Sequence, residues 1–439
     1  MIVDCFTFYN EFDVLELRLR ILDGVVDRFV LCEAPFTFRG APKPLWFATQ
    51  AERFAPWRDR IVPIVYDGEA DPNPWVNEWG QRGFLTTALR DCAPGDLVLI
   101  GDCDEIPDPR NVGRRPADGA VLQHKMILAR GSFNRVDGVG FVWPGTRTVA
   151  ARDVPAFGTL NDIRNLPVDG LESIDGGWHF TSLGGVSVAQ NKMSAYSHVE
   201  YDIPYYTDRH RLEVTLAGTS DHWVPFDDRF PAVLHDPRWR RYVAARDDMD
   251  DALASELEHA HGCLAYVPDA AARVAALTPD GAAWTRAAGA RIGDRFAGSF
   301  DDVAALTAGV AAPAWVVVDR LERWDDGALA ALAERGFPLV VFASNARSFD
   351  TFQRIVSGTG TFADGRALGR TEILAEIGGA GYRVEHLDRV MSQKIPIPLV
   401  LPPGYAMSMG SFSFTAMDRD ALYDFLATGY VLHVVPAGA

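Results

Sequence analysis

Long apolar runs are missing from this 439-residue sequence. A membrane-crossing helix needs roughly 18 or more consecutive apolar residues, and the best runs here, such as Trp315–Val318, are the size of strands. Met1-Ile2-Val3-Asp4 has no basic residues ahead of an apolar core, so a secretory leader is not expected. Cysteine is sparse. Cys5, Cys32, Cys92, Cys103 and Cys263 form no Cys-x-x-Cys pair. An odd number also leaves one thiol over in any disulfide scheme, so reduced thiols in a cytoplasmic protein are expected. Positive charge is the minority sign: Lys and Arg number 42 against 59 Asp and Glu, a formal net charge of −17. That argues against nucleic acid as a partner, since phosphate-backbone binding rests on clustered Lys and Arg. No Gly-x-x-x-x-Gly-Lys-Ser/Thr occurs, which excludes a P-loop phosphoryl-transfer enzyme.

What is present is ordinary globular composition, 48% hydrophobic and 23% charged, over a length that allows two or three domains. The abundance of Ala, Arg, Gly and Asp suggests a GC-rich bacterial source. The first hundred residues alternate between strand and helix signals. Ile2 to Phe8 is a β-rich run. Asn10 can cap a helix in which Phe12, Leu15, Leu19 and Leu22 recur at helical spacing. Arg28 to Ala34 and Ile61 to Tyr66 read as further strands, Asn77 to Cys92 as a helix, and Leu97 to Ile100 as a fully apolar strand after a Pro-Gly-Asp turn. Apolar strands separated by helices predict a parallel α/β sheet, whose ligands sit at the carboxyl ends of the strands. Beyond Ala120 shorter strands and aromatic loops take over. Residues 187–197 look like one more helix, and 227–260 reads as charged and helical. A domain boundary is expected near residue 262, giving domains 1–262 and 263–439.

The chemistry concentrates at Asp102-Cys103-Asp104-Glu105-Ile106-Pro107, directly after the apolar strand. Acids at i and i+2 of an extended segment point to one side, so both carboxylates can face one ligand. A divalent cation held by such hard oxygen ligands would offset the charge of a nucleoside diphosphate and of its departure. The spacing alone is common. Asp248/Asp250 and Asp418/Asp420 share it and read as solvated helix faces, while Asp102/Asp104 stands out by its position at the end of a buried strand.

At this point the sequence resembles family 17 glycosyltransferases. The matching blocks are DCFTFYNEFDVLELRL (4–19), VDRFVLCEAPFTFRGAPKPL (26–45), NEWGQR (77–82), LVLIGDCDEIP (97–107), DGGWHFTSLGG (175–185) and MSAYSHVEYD (193–202). The resemblance implies a GT-A (Rossmann-like) domain, a nucleotide-sugar donor (UDP-GlcNAc for the family), a glycan or glycolipid acceptor and inversion at the anomeric carbon. Bacterial surface polysaccharide or lipopolysaccharide assembly is the natural setting, in the cytoplasm or at the inner face of the membrane.

Asp104 is expected to ligate Mn²⁺ or Mg²⁺, with Asp102 supporting ribose and metal. Glu33, at the end of the second strand, is placed to meet a ribose or base edge, or is a plain surface acid. Thr37, Arg39 and Lys43 in the next loop can meet donor phosphates or balance local acids. Arg82, on the polar face of its helix, offers a guanidinium fork to a diphosphate or ribose. In Asp175-Gly-Gly-Trp178-His179-Phe180, Trp178 offers a platform for a sugar ring. Asp175 is the candidate general base, which an inverting displacement needs near the acceptor hydroxyl. Glu200 and Asp202 compete for that role. His198 and His179 are candidate third metal ligands, and His179 is also an acceptor contact.

The last third carries a second resemblance, to class I methyltransferases. In 313–349 a strand, acidic turn, helix and strand ending in Asn follow one another, and 369–390 and 430–437 resemble the closing helix and strands. The Gly-rich cofactor loop is expected near 260–275, and HAHGCLAYVPDAAARV lacks it. The expectation is a smaller, degenerate Rossmann-like domain that binds no S-adenosylmethionine. The alternative for the whole chain is a catalytically inactive nucleotide- or sugar-binding scaffold.

Overall fold

The computed structural model describes residues 1–136, 142–218, 223–246, 249–325, 327–356, 366–391, 406–409, 412–415 and 418–438. The chain divides into two compact units, Met1–Ser197 with Leu216–Asp250, and His198–Thr215 with Asp251–Ala439. Both are α/β, as the alternation of strand and helix signals implies.

In the first unit eight strands form one sheet: β1 (Ile2–Thr7), β2 (Arg28–Glu33), β3 (Ile61–Val65), β4 (Leu97–Asp102), β5 (Glu105–Pro107), β6 (Leu122–Arg130), β7 (Trp143–Ala150) and β8 (Glu172–Thr181). Their order is β3-β2-β1-β4-β7-β6-β8-β5. The first four run parallel, and β7 joins β4 antiparallel. Successive side chains leave a strand on opposite faces, and the burial follows that rule. Phe6, Phe29, Leu31 and Leu99 enter one apolar cluster. Cys5, Val30, Cys32, Val98 and Ile100 enter another. Burial on both faces is why β1, β2 and β4 lack a polar alternation.

The helix Phe12–Ile21 buries Leu15, Leu17 and Leu19 in the first of these clusters. Asn10 does not cap it. The N-cap position falls on Glu11, without a side-chain cap bond, and the Asn10 amide donates to Asn191 at 3.0 Å. The helix expected over Asn77–Cys92 runs instead from Pro74 to Phe84 and tightens into a 3₁₀ turn over Leu85–Leu89. Asn73 caps it by accepting from the Trp75 N–H, and Pro at the first position has no N–H to satisfy. The helix expected over 187–197 spans Val186–Ala195. The stretch 227–260 is not one helix: short 3₁₀ turns at Ala232–His235 and Pro237–Tyr242 precede the helix Asp251–Leu264. Asp248 lies outside the described residues.

The second unit has a six-stranded sheet of β9 (Val274–Leu277), β10 (Phe296–Phe300), β11 (Trp315–Val318), β12 (Leu339–Ser344), β13 (Tyr382–Met391) and a last strand Ala427–Pro436. The order is β10-β9-β11-β12-last-β13, the last strand being antiparallel to both neighbours. A separate hairpin pairs Ala406–Met409 with Phe412–Thr415. The strand, acidic turn, helix and strand read in 313–349 form as β11, a turn at Leu321–Arg323, the helix Ala328–Glu334 and β12. The first strand-to-helix turn of this sheet lies later than 260–275. Residues 251–264 are helical, and the turn after β9 is Thr278-Pro279-Asp280, leading into the helix Gly281–Ile292. Asp418 caps the helix Arg419–Leu426. Among the described residues no helix is long and apolar enough to cross a membrane.

Candidate active site

The site is built on the turn between β4 and β5, at the carboxyl end of a parallel strand that lies between β1 and β7. One buried side chain holds this turn. Arg18 grips Asp4 through two bonds, Nε to Oδ2 at 2.7 Å and Nη2 to Oδ1 at 2.6 Å. Its remaining nitrogen, Nη1, donates to the carbonyls of Asp102 (2.9 Å), Cys103 (3.2 Å) and Glu105 (2.7 Å). A planar guanidinium is the side chain that can do both at once. Glu105 is fully buried and braces the turn from the other side. It accepts from the Asp102 N–H at 3.0 Å, the Trp143 indole at 2.7 Å and Arg164 at 2.5 Å.

The paired acids themselves differ. Asp102 is one-third exposed and accepts from Arg82 Nη2 at 2.8 Å, with Arg164 3.8 Å from its other oxygen. Burial works against its ionisation, but Arg82 and then Arg164 hold its carboxyl below the ordinary value. Arg82 is buried and shared with Glu78 at 2.8 Å. Asp104 is buried. Its Oδ2 accepts from Lys192 Nζ at 2.6 Å and lies 3.2 Å from His179 Nε2. Burial again opposes ionisation, and Lys192 and His179 more than offset it, so the carboxyl stays far below its usual range. Lys192 also reaches Glu11 at 3.3 Å and Thr181 Oγ1 at 3.4 Å. Glu11, half-buried near Asp104, is pushed up by desolvation despite Lys192.

His179 reaches Asp104 because β5 and β8 pair antiparallel, with Glu105 opposite His179 and Ile106 opposite Trp178. That pairing needs Gly177. Its φ is +126°, and a Cβ there would stand 2.7 Å from the Ile106 carbonyl oxygen. Trp178 packs in the apolar core, 5% exposed. Asp175 is exposed, four residues along β8 from His179, which is roughly 13 Å at the usual strand rise. It lines a cavity of about 550 Å³ together with Asp108, Asn111, Lys125 and Gly176, and Asn111 donates to its carbonyl at 3.0 Å.

The remaining candidates are placed as follows. Glu33 is buried and accepts from the N–H groups of Trp46 (2.8 Å) and Phe47 (3.1 Å), with Lys43 3.7 Å away. Glu33 is therefore engaged with Lys43 and with the start of the helix Trp46–Thr49. Thr37 closes its own loop, accepting from the Ala41 N–H at 3.2 Å. Arg39 donates to the carbonyls of Met193 (2.8 Å) and Tyr196 (3.2 Å), fastening that loop to the end of the helix bearing Lys192. His198, Glu200 and Asp202 belong to the second unit, where His198 Nδ1 pairs with Glu200 at 2.7 Å.

These residues do not fit a divalent cation on Asp104. Asp104 Oδ2 is taken by Lys192 Nζ at 2.6 Å with His179 Nε2 3.2 Å away, and His198 Nδ1 pairs with Glu200. Among the described residues no three His, Cys, Asp or Glu side chains converge as a metal-ligand set. Arg18, Glu11, Glu105, Arg164 and Lys192 are the site residues that motif reading missed. Arg18 sits on an otherwise apolar helix face of leucines, and Glu105 adjoins the acid pair, so both carried a signal. Lys192 had none beyond standing next to a matching block.

Comparison with known families bears on this turn. Residues 1–115 match Glycosyltransferase family 17. The matched segment contains Asp4, Arg18, Glu33, Arg82, Asp102, Asp104 and Glu105. Beta-1,4-mannosyl-glycoprotein 4-beta-N-acetylglucosaminyltransferase of Rattus norvegicus is 34% identical over 117 residues, 24% of this chain and 21% of the rat protein. The Homo sapiens protein of the same name is 34% identical over 117 residues, covering 22% of its own length. The chain thus spans about a fifth of the length of the curated relatives it matches. Among solved structures, a SAM-dependent methyltransferase from Thermotoga maritima aligns at a TM-score of 0.27 and 13% identity, over 42% of this chain and 89% of that one. That score is too low to bear on the fold.

Proposed function

We propose that the first unit is an inverting glycosyltransferase that moves a sugar from a nucleotide donor to a glycan or glycolipid acceptor. One observation carries this reading. The family 17 match includes the Asp102–Glu105 turn, which stands at the carboxyl end of a parallel strand, the usual ligand position of such sheets. Arg18 and Glu105 fix that turn rigidly, and Asp102 is its partly exposed acid. In this reading Asp102 accepts from a ribose hydroxyl of the donor. The cavity beyond Gly177 receives the acceptor, and Asp175 takes the proton of the attacking hydroxyl. Asp175 suits that role because it is exposed in the cavity and set back along β8 from the donor side. UDP-GlcNAc is the donor proposed by analogy with the family, and the setting is cytoplasmic assembly of a bacterial surface glycan. The second unit, whose β9 turn carries only Gly281 of the glycines a cofactor loop needs, is proposed to bind no S-adenosylmethionine. No step is assigned to a divalent cation.

The test is release of nucleoside diphosphate from a panel of nucleotide sugars incubated with the purified chain and a mixture of oligosaccharide acceptors. Release from one donor, lost in Asp102→Asn, supports the reading. No release from any member of the panel, together with no thermal stabilisation by any of them, would leave a scaffold protein.

A further inference from the structure

We propose that Lys192 is the site's own cation, offsetting the charge of the donor's diphosphate in place of a divalent metal. This rests on the glycosyltransferase reading and deepens it. The ammonium lies 2.6 Å from Asp104, 3.3 Å from Glu11 and 3.4 Å from Thr181 Oγ1; only the first is a short bond, and the proton directed at the neutral Thr181 hydroxyl can turn to an incoming phosphate oxygen. The two layers differ in exposure. The Lys192 side chain is 29% exposed and the Asp104 carboxylate beneath it 4%. A ligand approaching Asp104 therefore meets the Lys192 side chain first.

On the neighbouring acid the order is reversed. Arg82 is 5% exposed and Asp102 above it 34%. The site thus presents one cationic and one anionic side chain as the more exposed member of each pair, Lys192 from its helix and Asp102 from the turn. Those are the complements of a diphosphate and of a ribose hydroxyl. A metal ligated by Asp104 Oδ2 at the usual distance for a small divalent ion would stand no more than about 4.7 Å from the Lys192 nitrogen. The two positive charges would compete for the same carboxylate. The helix bearing Lys192 is also anchored at its end by Arg39, through the Met193 and Tyr196 carbonyls, which keeps the ammonium in register with the turn.

In the reaction, the bond between the anomeric carbon and the diphosphate oxygen breaks with its electron pair going to that oxygen. The acceptor hydroxyl oxygen forms the new bond to the carbon, and its proton passes to the base. Lys192 donates a hydrogen bond to the departing diphosphate and keeps its own proton, whose loss is disfavoured by Asp104 and Glu11 against the effect of burial.

The experiment is a calorimetric titration of the full chain with UDP, in EDTA and in Mn²⁺. The expected result is the same affinity within about twofold in both. Lys192→Ala should bind at least tenfold more weakly in EDTA and recover in Mn²⁺, because Asp104 Oδ2 then loses the ammonium that competes with a metal. Lys192→Arg keeps the charge and should keep EDTA-resistant binding, while Lys192→Gln keeps a polar stem without the charge and, if the alanine variant does not fold, should show the same loss in EDTA. Wild-type binding seen only with Mn²⁺ overturns this inference and leaves the glycosyltransferase reading in place. No binding of UDP or of any nucleotide sugar in either buffer overturns both.

Discussion

Arg18 and Asp4 form a fully buried two-bond pair, and the same guanidinium holds three carbonyls of the Asp102–Glu105 turn. One residue of the first helix and one of β1 therefore set the shape of a loop about 85 positions away in the sequence. Arg18→Met leaves Asp4 charged and unpaired in the core and strips the turn of its donor. The expected cost is about 3–5 kcal/mol, read as a fall in the urea midpoint. Removing both charges, Arg18→Leu with Asp4→Leu, should recover part of that loss. Full recovery is not expected, since the three carbonyls stay without Arg18.

Gly177 is the hinge of the β5–β8 pairing. Gly177→Ala forces a side chain into a backbone conformation with φ +126° and against the Ile106 carbonyl. A cost of about 1–3 kcal/mol is expected, measured by thermal unfolding. Donor affinity should fall with it, since the same pairing sets His179 opposite Glu105. An unchanged melting temperature would contradict the strain assigned to this position.

Acid should weaken the first unit through His124. Its ring is fully buried on β6, with Nε2 2.8 Å from Thr148 Oγ1. Burial lowers its pKa to about 4 despite Asp108. A histidine depressed below its unfolded value of about 6.5 favours the fold only while neutral. Its contribution is complete above pH 6.5 and is lost as pH falls toward 4, up to about 3 kcal/mol. Denaturant unfolding at pH 7 and pH 4.5 should show a smaller difference for His124→Gln than for the wild type.

Asp175→Asn separates the two halves of the proposed reaction. Donor binding should be unchanged, since the residue lies along β8 from the donor side. Turnover should drop by roughly 10²–10⁴-fold, as when a general base is lost. Steady-state transfer assays and donor titration on the same protein check both. Lost donor affinity would instead make Asp175 part of the donor site.

The sheet of the first unit was legible because its strands are buried on both faces. Such strands read as uninterrupted apolar runs, as in Leu97–Ile100. The acid turn was legible for the same reason, as the point where such a run stops. The contacts within the site were not. Glu33 reads as a ligand-facing acid at a strand end, yet two N–H groups at the start of Trp46–Thr49 need an acceptor and take it. Arg82 reads as a free polar-face fork, but packing of its helix against the sheet buries it between Glu78 and Asp102. Trp178 reads as an exposed platform beside two glycines. The β8 register turns it into the core. Lys192 meets Asp104 only through tertiary placement of a helix 88 residues on, which no local spacing encodes.

The most direct measurement is the affinity of the wild type and of Asp102→Asn for UDP-GlcNAc by titration calorimetry, with thermal unfolding of both as the control for folding. Asp102 is one-third exposed and bonded to Arg82, so the amide should leave the fold intact. Saturable binding by the wild type and at least tenfold weaker binding by Asp102→Asn is the expected result. Equal affinity in two folded proteins would contradict the assignment of the donor to this turn.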